Sequence, residues 1–140
     1  MFVLDASVML KWFMDEVDTD KANAIKNDHI TGKLTITIPD LAIYEVGNAL
    51  RYEPEFSIEE VNKCLQELYD LDTDIIVPLP EIIPSVTEVA YENGVTFYDA
   101  FYIALAKELN LQFITADEKL YSKVKHLPFV QLLNKLETPL

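Results

Sequence analysis

The sequence predicts a single α/β domain over residues 1–140, a twisted parallel sheet of four to five strands flanked by helices. Three observations lead there. The apolar periodicity changes character roughly every 10 to 15 residues, as it does when strands and helices alternate. Short runs rich in Val, Ile, Phe and Thr recur between longer segments that carry helix start and stop signals. No internal repeat, low-complexity tract or linker interrupts the pattern. Alternation of this kind favours parallel strands covered on both faces.

The strand candidates are Phe2 to Leu4, Leu34 to Ile38, Ile75 to Leu79 and Leu111 to Thr115, with Val130 to Leu133 as a fifth. A short helical stretch follows Asp5. Asp40, just after Pro39, can cap a helix carrying Leu41, Tyr44, Glu45, Asn48 and Leu50. Ser57 and Glu60 form a capping box that opens a helix with an apolar face of Val61, Leu65, Leu68 and Tyr69. From Glu81 through Tyr91, Ile82, Val86, Val89 and Ala90 repeat at helical spacing, and Asn93-Gly94 supplies a left-handed stop. Thr96 then begins a helix that is apolar on nearly every face from Phe97 to Ala106, which marks it as buried.

Composition excludes several classes. No apolar stretch approaches the roughly 20 residues that span a bilayer, and the Met1-Phe2-Val3-Leu4 start has neither a basic region nor a cleavage site. Cys64 is the only cysteine, so no internal disulfide or thiolate metal cage is available, and a cytoplasmic protein without membrane association is expected. With three glycines there is no phosphate-cradling loop. His29 and His126 are isolated and lack zinc-ligand spacing. The formal net charge of −13 argues against nonspecific phosphate binding, and a solvated surface accounts for most of the acids.

A few carboxylates do not fit a solvated surface. Asp5 directly follows the first strand and Asp117 follows Leu111 to Thr115, so both belong at the carboxyl edge of the sheet, where open α/β folds bind ligands. Each could instead cap the helix that follows it. Asp99 is the lone charge of the buried helix, where it needs a partner unless Thr96 and Asp99 form a capping box. Glu45 and Asn48 lie one turn apart and share a side of their helix, in a stripe that solvent could also explain. Four acids from four segments suit hard divalent cations such as Mg²⁺ or Mn²⁺, which take oxygen ligands and activate water for in-line displacement at phosphorus. Ser7 and Thr115, each two residues from a candidate ligand, can hydrogen-bond it or a bound water.

The segments VLDASVMLKWF, PDLAIYEVGNALR, TFYDAFYIALAKELN and FITADEKL together resemble the PIN-domain nucleases, and within them the VapC-type toxins of type II toxin–antitoxin systems. The resemblance covers nearly the whole chain and keeps the family's segment order. It implies a PIN-like domain that cleaves RNA as an Mg²⁺- or Mn²⁺-dependent endoribonuclease and is held inactive by a VapB-like antitoxin. Position by position, Asp5, Glu45, Asp99 and Asp117 match the acidic metal-binding quartet, and Ser7, Asn48 and Thr115 match its polar supports. It also implies a homodimer burying apolar residues of the Ser57 to Leu71 region. The chain departs from the simplest picture in its acidity, with Arg51 its only arginine. Lys119, Lys123 and Lys125 cluster beyond Asp117 and, with Lys11 and Arg51, could line an approach for RNA. Three competing readings are weaker. A non-catalytic PIN-type scaffold or RNA-binding module would have lost some of the four acids. An aspartyl-phosphate phosphatase usually has a second Asp two residues on, where this chain has Ser7, and a phospho-receiver needs an acceptor Asp where Pro80-Glu81 stands.

Overall fold

The computed structural model describes residues 1–137. Strand β1 (Phe2–Leu4) leads into a short helix α1 (Ala6–Met9), which tightens into a 3₁₀ turn at Leu10–Trp12. Then follow α2 (Thr19–Ile30), β2 (Ile36–Pro39), α3 (Leu41–Arg51), α4 (Ile58–Asp70) and β3 (Asp74–Ile76). The second half runs α5 (Ile83–Asn93), α6 (Phe97–Leu109), β4 (Gln112–Thr115), α7 (Glu118–Val124) and β5 (Val130–Leu132). The five strands form one sheet in the order β3-β2-β1-β4-β5, every neighbouring pair parallel, as the alternation required.

Register centres on β1, where Val3 stands beside Thr37 on one side and Phe113 on the other. Successive strand residues point to opposite faces, and Val3, Leu4, Ile36, Ile38, Phe113 and Ile114 are all fully buried, so both faces are covered. Helix α6 lies against β1, β2 and β4 with α5 packed beside it, while α3 and α4 pair next to β2 and α7 covers β4 and β5. The apolar-all-round pattern of α6 is met from Ala100 to Ala106, every residue of which is buried. Phe97 and Tyr98, in the first turn of α6, instead face solvent.

Local signals fared unevenly. Ser57 and Glu60 close both halves of their capping box, and Gly94 ends α5 in the left-handed conformation. Asp40 corrects an expectation: it has helical backbone angles and caps nothing, and its N–H donates instead to the Ile76 carbonyl at the end of β3. Tyr69 is 54 % exposed, so α4 buries Leu68, with Val61 and Leu65 partly covered. Pairing of β3 stops at Ile76 because it is an edge strand, Val77 faces solvent, and Pro78 has no N–H to donate. Helix α2 had no apolar stripe to announce it. It buries Ala22 and Ile25, and the Trp12 indole N–H donates to the Ala22 carbonyl at 2.9 Å.

Gly94 has φ +62°, and a Cβ built there meets no atom within 4 Å, so a substitution adds backbone strain without a clash. Gly94→Ala is therefore expected to destabilise the protein by about 1 kcal/mol, read as a lower urea midpoint at unchanged slope. An unchanged midpoint would contradict the left-handed stop.

Candidate active site

Strand order reverses at β1: the chain steps outward through β2 and β3, then returns to the other side of β1 for β4 and β5. The carboxyl ends of β1 and β4 thus flank the topological switch point, where an open α/β sheet leaves a crevice. Asp5 leaves β1 at this crevice, and Thr115, Ala116 and Asp117 leave β4 beside it.

Asp5 is only 6 % exposed, and hydroxyl groups hold both of its oxygens. The Ser7 hydroxyl donates to Oδ1, which also accepts the Ser7 backbone N–H at 3.0 Å, and the Thr115 hydroxyl donates to Oδ2 at 2.6 Å. Each hydroxyl is used a second time. Ser7 Oγ accepts the Ala116 N–H at 2.9 Å, and Thr115 Oγ1 accepts the Asp117 N–H at 3.0 Å. These bridges stitch the end of β1 to the end of β4. Asp5 also caps α1 through Ser7, and Asp117 caps α7 by accepting the Leu120 N–H at 3.1 Å. Capping and membership of the acidic crevice therefore coexist at both positions.

Asp99 is different. Thr96 Oγ1 accepts the Asp99 N–H at 3.0 Å, but the Asp99 carboxylate returns no bond to the Thr96 backbone, so the capping box stays half closed. Burial, then the charge of Asp117, push the Asp99 carboxyl above the usual range, with the Thr96 hydroxyl and Lys123 pulling it back. On α3, Glu45 is half-buried, and Oε1 accepts the Tyr102 hydroxyl proton at 2.7 Å. Burial raises its carboxyl first, the Tyr102 bond opposes this, and Asp99 adds to the rise. The Asp5 carboxyl is pushed up to about 6, by burial foremost, against the lowering bonds of Ser7 and Thr115 and with the charges of Asp99 and Asp117 adding. Mutual repulsion thus links the four acids into one electrostatic unit.

Cations do little to relieve it. Among the described residues the one ion pair joins Lys11 to Glu16 at 3.9 Å, and Lys11 lines a separate depression with Asp18, Ala116 and Glu118. Lys119 and Lys123 line the cleft with Thr96, Asp99 and Asp117, and Lys123 donates to the Gly94 carbonyl at 3.2 Å. Asn48 and Arg51, one and nearly two turns beyond Glu45 on α3, line a groove with Glu45, Tyr44 and Tyr98, and the Arg51 guanidinium lies 5.1 Å over the Tyr52 ring. Tyr102 is the participant that sequence reasoning missed. It stands three residues after Asp99 and so on the same helix face, and a tyrosine in a helix with no polar side must find a partner for its hydroxyl.

Among the described residues, no three acidic, imidazole or thiolate side chains are already gathered closely enough to enclose a metal ion. The donor set still fits a hard divalent cation: all of its groups are carboxylates, and Asp5, Glu45 and Asp99 are strained by burial and by each other's charge. Such ions commonly keep several waters and use few protein ligands. His29 is excluded, since its ring bridges the Leu71 carbonyl and the Ile36 N–H.

The sequence profile of the PIN domain family matches residues 2–127. Ribonuclease VapC3 of Pyrobaculum aerophilum is 28 % identical over 125 residues, spanning 86 % of this chain and 92 % of that protein. The crystal structure of a Pyrobaculum aerophilum protein superposes with a TM-score of 0.70 at 26 % identity, covering 95 % of this chain and 83 % of the other. A chain of a toxin–antitoxin complex from Klebsiella pneumoniae shares the fold, with a TM-score of 0.71 at 14 % identity over 95 % of this chain and 98 % of its own.

The raised Asp5 carboxyl makes stability depend on pH with a definite sign. Between its ordinary 3.8 and about 6, the folded protein keeps a proton that the unfolded chain has lost. The stabilisation is complete below pH 3.8 and lost as pH rises through about 6. The loss is at most roughly 3 kcal/mol, and Glu45 and Asp99 add in the same direction. Denaturation in EDTA across this range should show wild type losing stability relative to Asp5→Asn as pH rises. A constant difference between the two would mean that Asp5 titrates normally.

Proposed function

Since the chain belongs to the PIN domain family, we propose that it is an endoribonuclease, the toxin of a type II toxin–antitoxin pair, cutting RNA phosphodiesters at the cleft of Asp5, Glu45, Asp99 and Asp117. Relatives named as ribonucleases support nuclease activity. What supports the reading is that Asp5 and Asp117 leave the sheet at its switch point and that Asp99 lines one cleft with Asp117, with only Lys119 and Lys123 as nearby cations.

The cofactor in this reading is Mg²⁺ or Mn²⁺, held by Asp5, Asp99 and Asp117 with Glu45, and supplying charge neutralisation and water activation for displacement at phosphorus. The protein's own contribution is arrangement. Ser7 and Thr115 fix the orientation of Asp5 with neutral donors, so the carboxylate keeps its charge. Lys119 and Lys123, at the mouth of the cleft, draw phosphates inward, and Asn48 and Arg51 meet the strand in the groove beyond Glu45. Lys11, 3.9 Å from Glu16, lines a depression with Ala116 and Glu118 on either side of Asp117 in sequence, and would meet the RNA there. An aspartyl-phosphate mechanism is disfavoured because the second Asp it uses two residues on is replaced by Ser7, which is spent on holding Asp5.

The same reading makes a VapB-like antitoxin the partner, the cytoplasm the compartment, and a homodimer the working form. No helix of the described residues is long and apolar enough to cross a membrane. The dimer would bury apolar residues of Ser57 to Leu71, where Ile58 is 83 % exposed and Tyr69 half exposed. Sedimentation at micromolar concentration should give a dimer that Ile58→Glu weakens, and a wild-type monomer would remove this part of the proposal.

Cleavage of RNA should stop in EDTA and return with Mg²⁺ or Mn²⁺, and millimolar metal should raise the melting temperature. Asp99→Asn should abolish cleavage while stabilising the metal-free protein by about 1 kcal/mol, because it removes a like charge and gives up no helix-cap bond. An Asp99→Asn variant that still cuts RNA and is less stable than wild type would take Asp99 out of the site.

A further inference from the structure

We propose that Tyr102 is a positioning residue for Glu45: its buried hydroxyl fixes one oxygen of the carboxylate and leaves the other open to the acidic cleft. The inference rests on the metal-dependent reading of the four acids given above, and deepens it.

Glu45 sits on a half-exposed helix face with three rotatable side-chain bonds, a poor basis for a ligand that must be in place when a cation arrives. Tyr102 has none of that freedom. Its side chain is 1 % exposed, lies in the fully buried stretch of α6, and packs against Phe113 of β4 with ring centroids 6.2 Å apart. From that fixed ring the hydroxyl donates to Glu45 Oε1 at 2.7 Å, across 57 residues of sequence. Among the described residues this is the one side-chain hydrogen bond between α3 and α6, and Glu45 Oε2 accepts none from the protein. Asp99 lies three residues before Tyr102 on the same helix, so the bond sets Glu45 in register with Asp99.

The kind of donor matters as much as its place. A lysine or arginine here would fix Glu45 but cancel its charge and compete with a cation. A phenol donates one hydrogen bond and stays neutral, so orientation is gained and ligand character kept. The device repeats what Ser7 and Thr115 do at Asp5. A merely structural tyrosine, by contrast, would need Glu45 as its acceptor, and the metal would be indifferent to the bond.

The decisive measurement is Mn²⁺ affinity of the full chain without RNA, by paramagnetic resonance titration, for wild type, Tyr102→Phe, Glu45→Gln and the double variant. Tyr102→Phe should bind Mn²⁺ about tenfold more weakly, and at saturating Mn²⁺ should lose kcat about tenfold with KM for RNA unchanged. Adding Tyr102→Phe to Glu45→Gln should change affinity no further, because the tyrosine acts through that carboxylate. Tyr102→Phe keeps the ring and its packing against Phe113, so it should fold, which an unchanged far-UV circular dichroism spectrum checks. Wild-type affinity in Tyr102→Phe beside a loss in Glu45→Gln would overturn this inference and leave the metal site standing. Losses that multiply in the double variant would also overturn it. If Glu45→Gln binds Mn²⁺ like wild type, or wild type binds none, the positioning role falls together with the metal reading of Glu45.

Discussion

The structure around the cleft is governed by one demand: carboxylates must be held in place without being neutralised. A buried acid is normally stabilised by pairing with Arg or Lys, and doing so here would produce an inert ion pair. Asp5 is instead held by the hydroxyls of Ser7 and Thr115. Because each hydroxyl also accepts a backbone N–H from the chain leaving β4, the bonds that orient Asp5 also fix the path of residues 115–117 and hence the start of α7. Remove Asp5 and the two strand ends lose their common acceptor. The switch point of the sheet is thus closed by the same groups that build the cleft.

This demand also accommodates the acidity that argued against nucleic acid at the level of composition. Charges farther away than about 8 Å are screened at physiological salt, so the surplus of acids over the rest of the surface acts weakly at the cleft. What an approaching phosphate meets at short range is set by a few groups: the acids themselves, two lysines at the mouth, and Arg51 along the groove. A cation bound among the acids would reverse the local sign. Net charge reports on solubility and long-range steering, and here it misleads about the site.

Much of the fold was legible because its signals are local. Phe2 to Leu4 matches the observed first strand, the Ser57 box and the Gly94 stop are in place, and the other strands shift by a few residues at their ends. The errors arise where tertiary surroundings decide. Asp40 looked like a cap, but its N–H serves the sheet edge, and α2 is held by two buried residues and a tryptophan bond that no periodicity announces. At the site, spacing alone could not separate capping from ligation. Asp5 and Asp117 do cap helices, and only the folded chain brings them close enough to Asp99 for the charges to act on one another. Tyr102 was invisible for a related reason: its acceptor lies 57 residues away, and a tyrosine in an apolar helix reads as core.

The four acids are not held alike. Asp5 is held by hydroxyls at both oxygens, Asp117 by its cap bond to Leu120, and Glu45 by Tyr102. Asp99 alone has no tether beyond the nearness of the Thr96 hydroxyl, and it is repelled by Asp117. Asp99 stands in the first turn of α6, just before the buried stretch that begins at Ala100 and fixes the helix against the sheet. Neutral donors thus hold three of the four acids, and the fourth is set by its place on α6 beside Asp117.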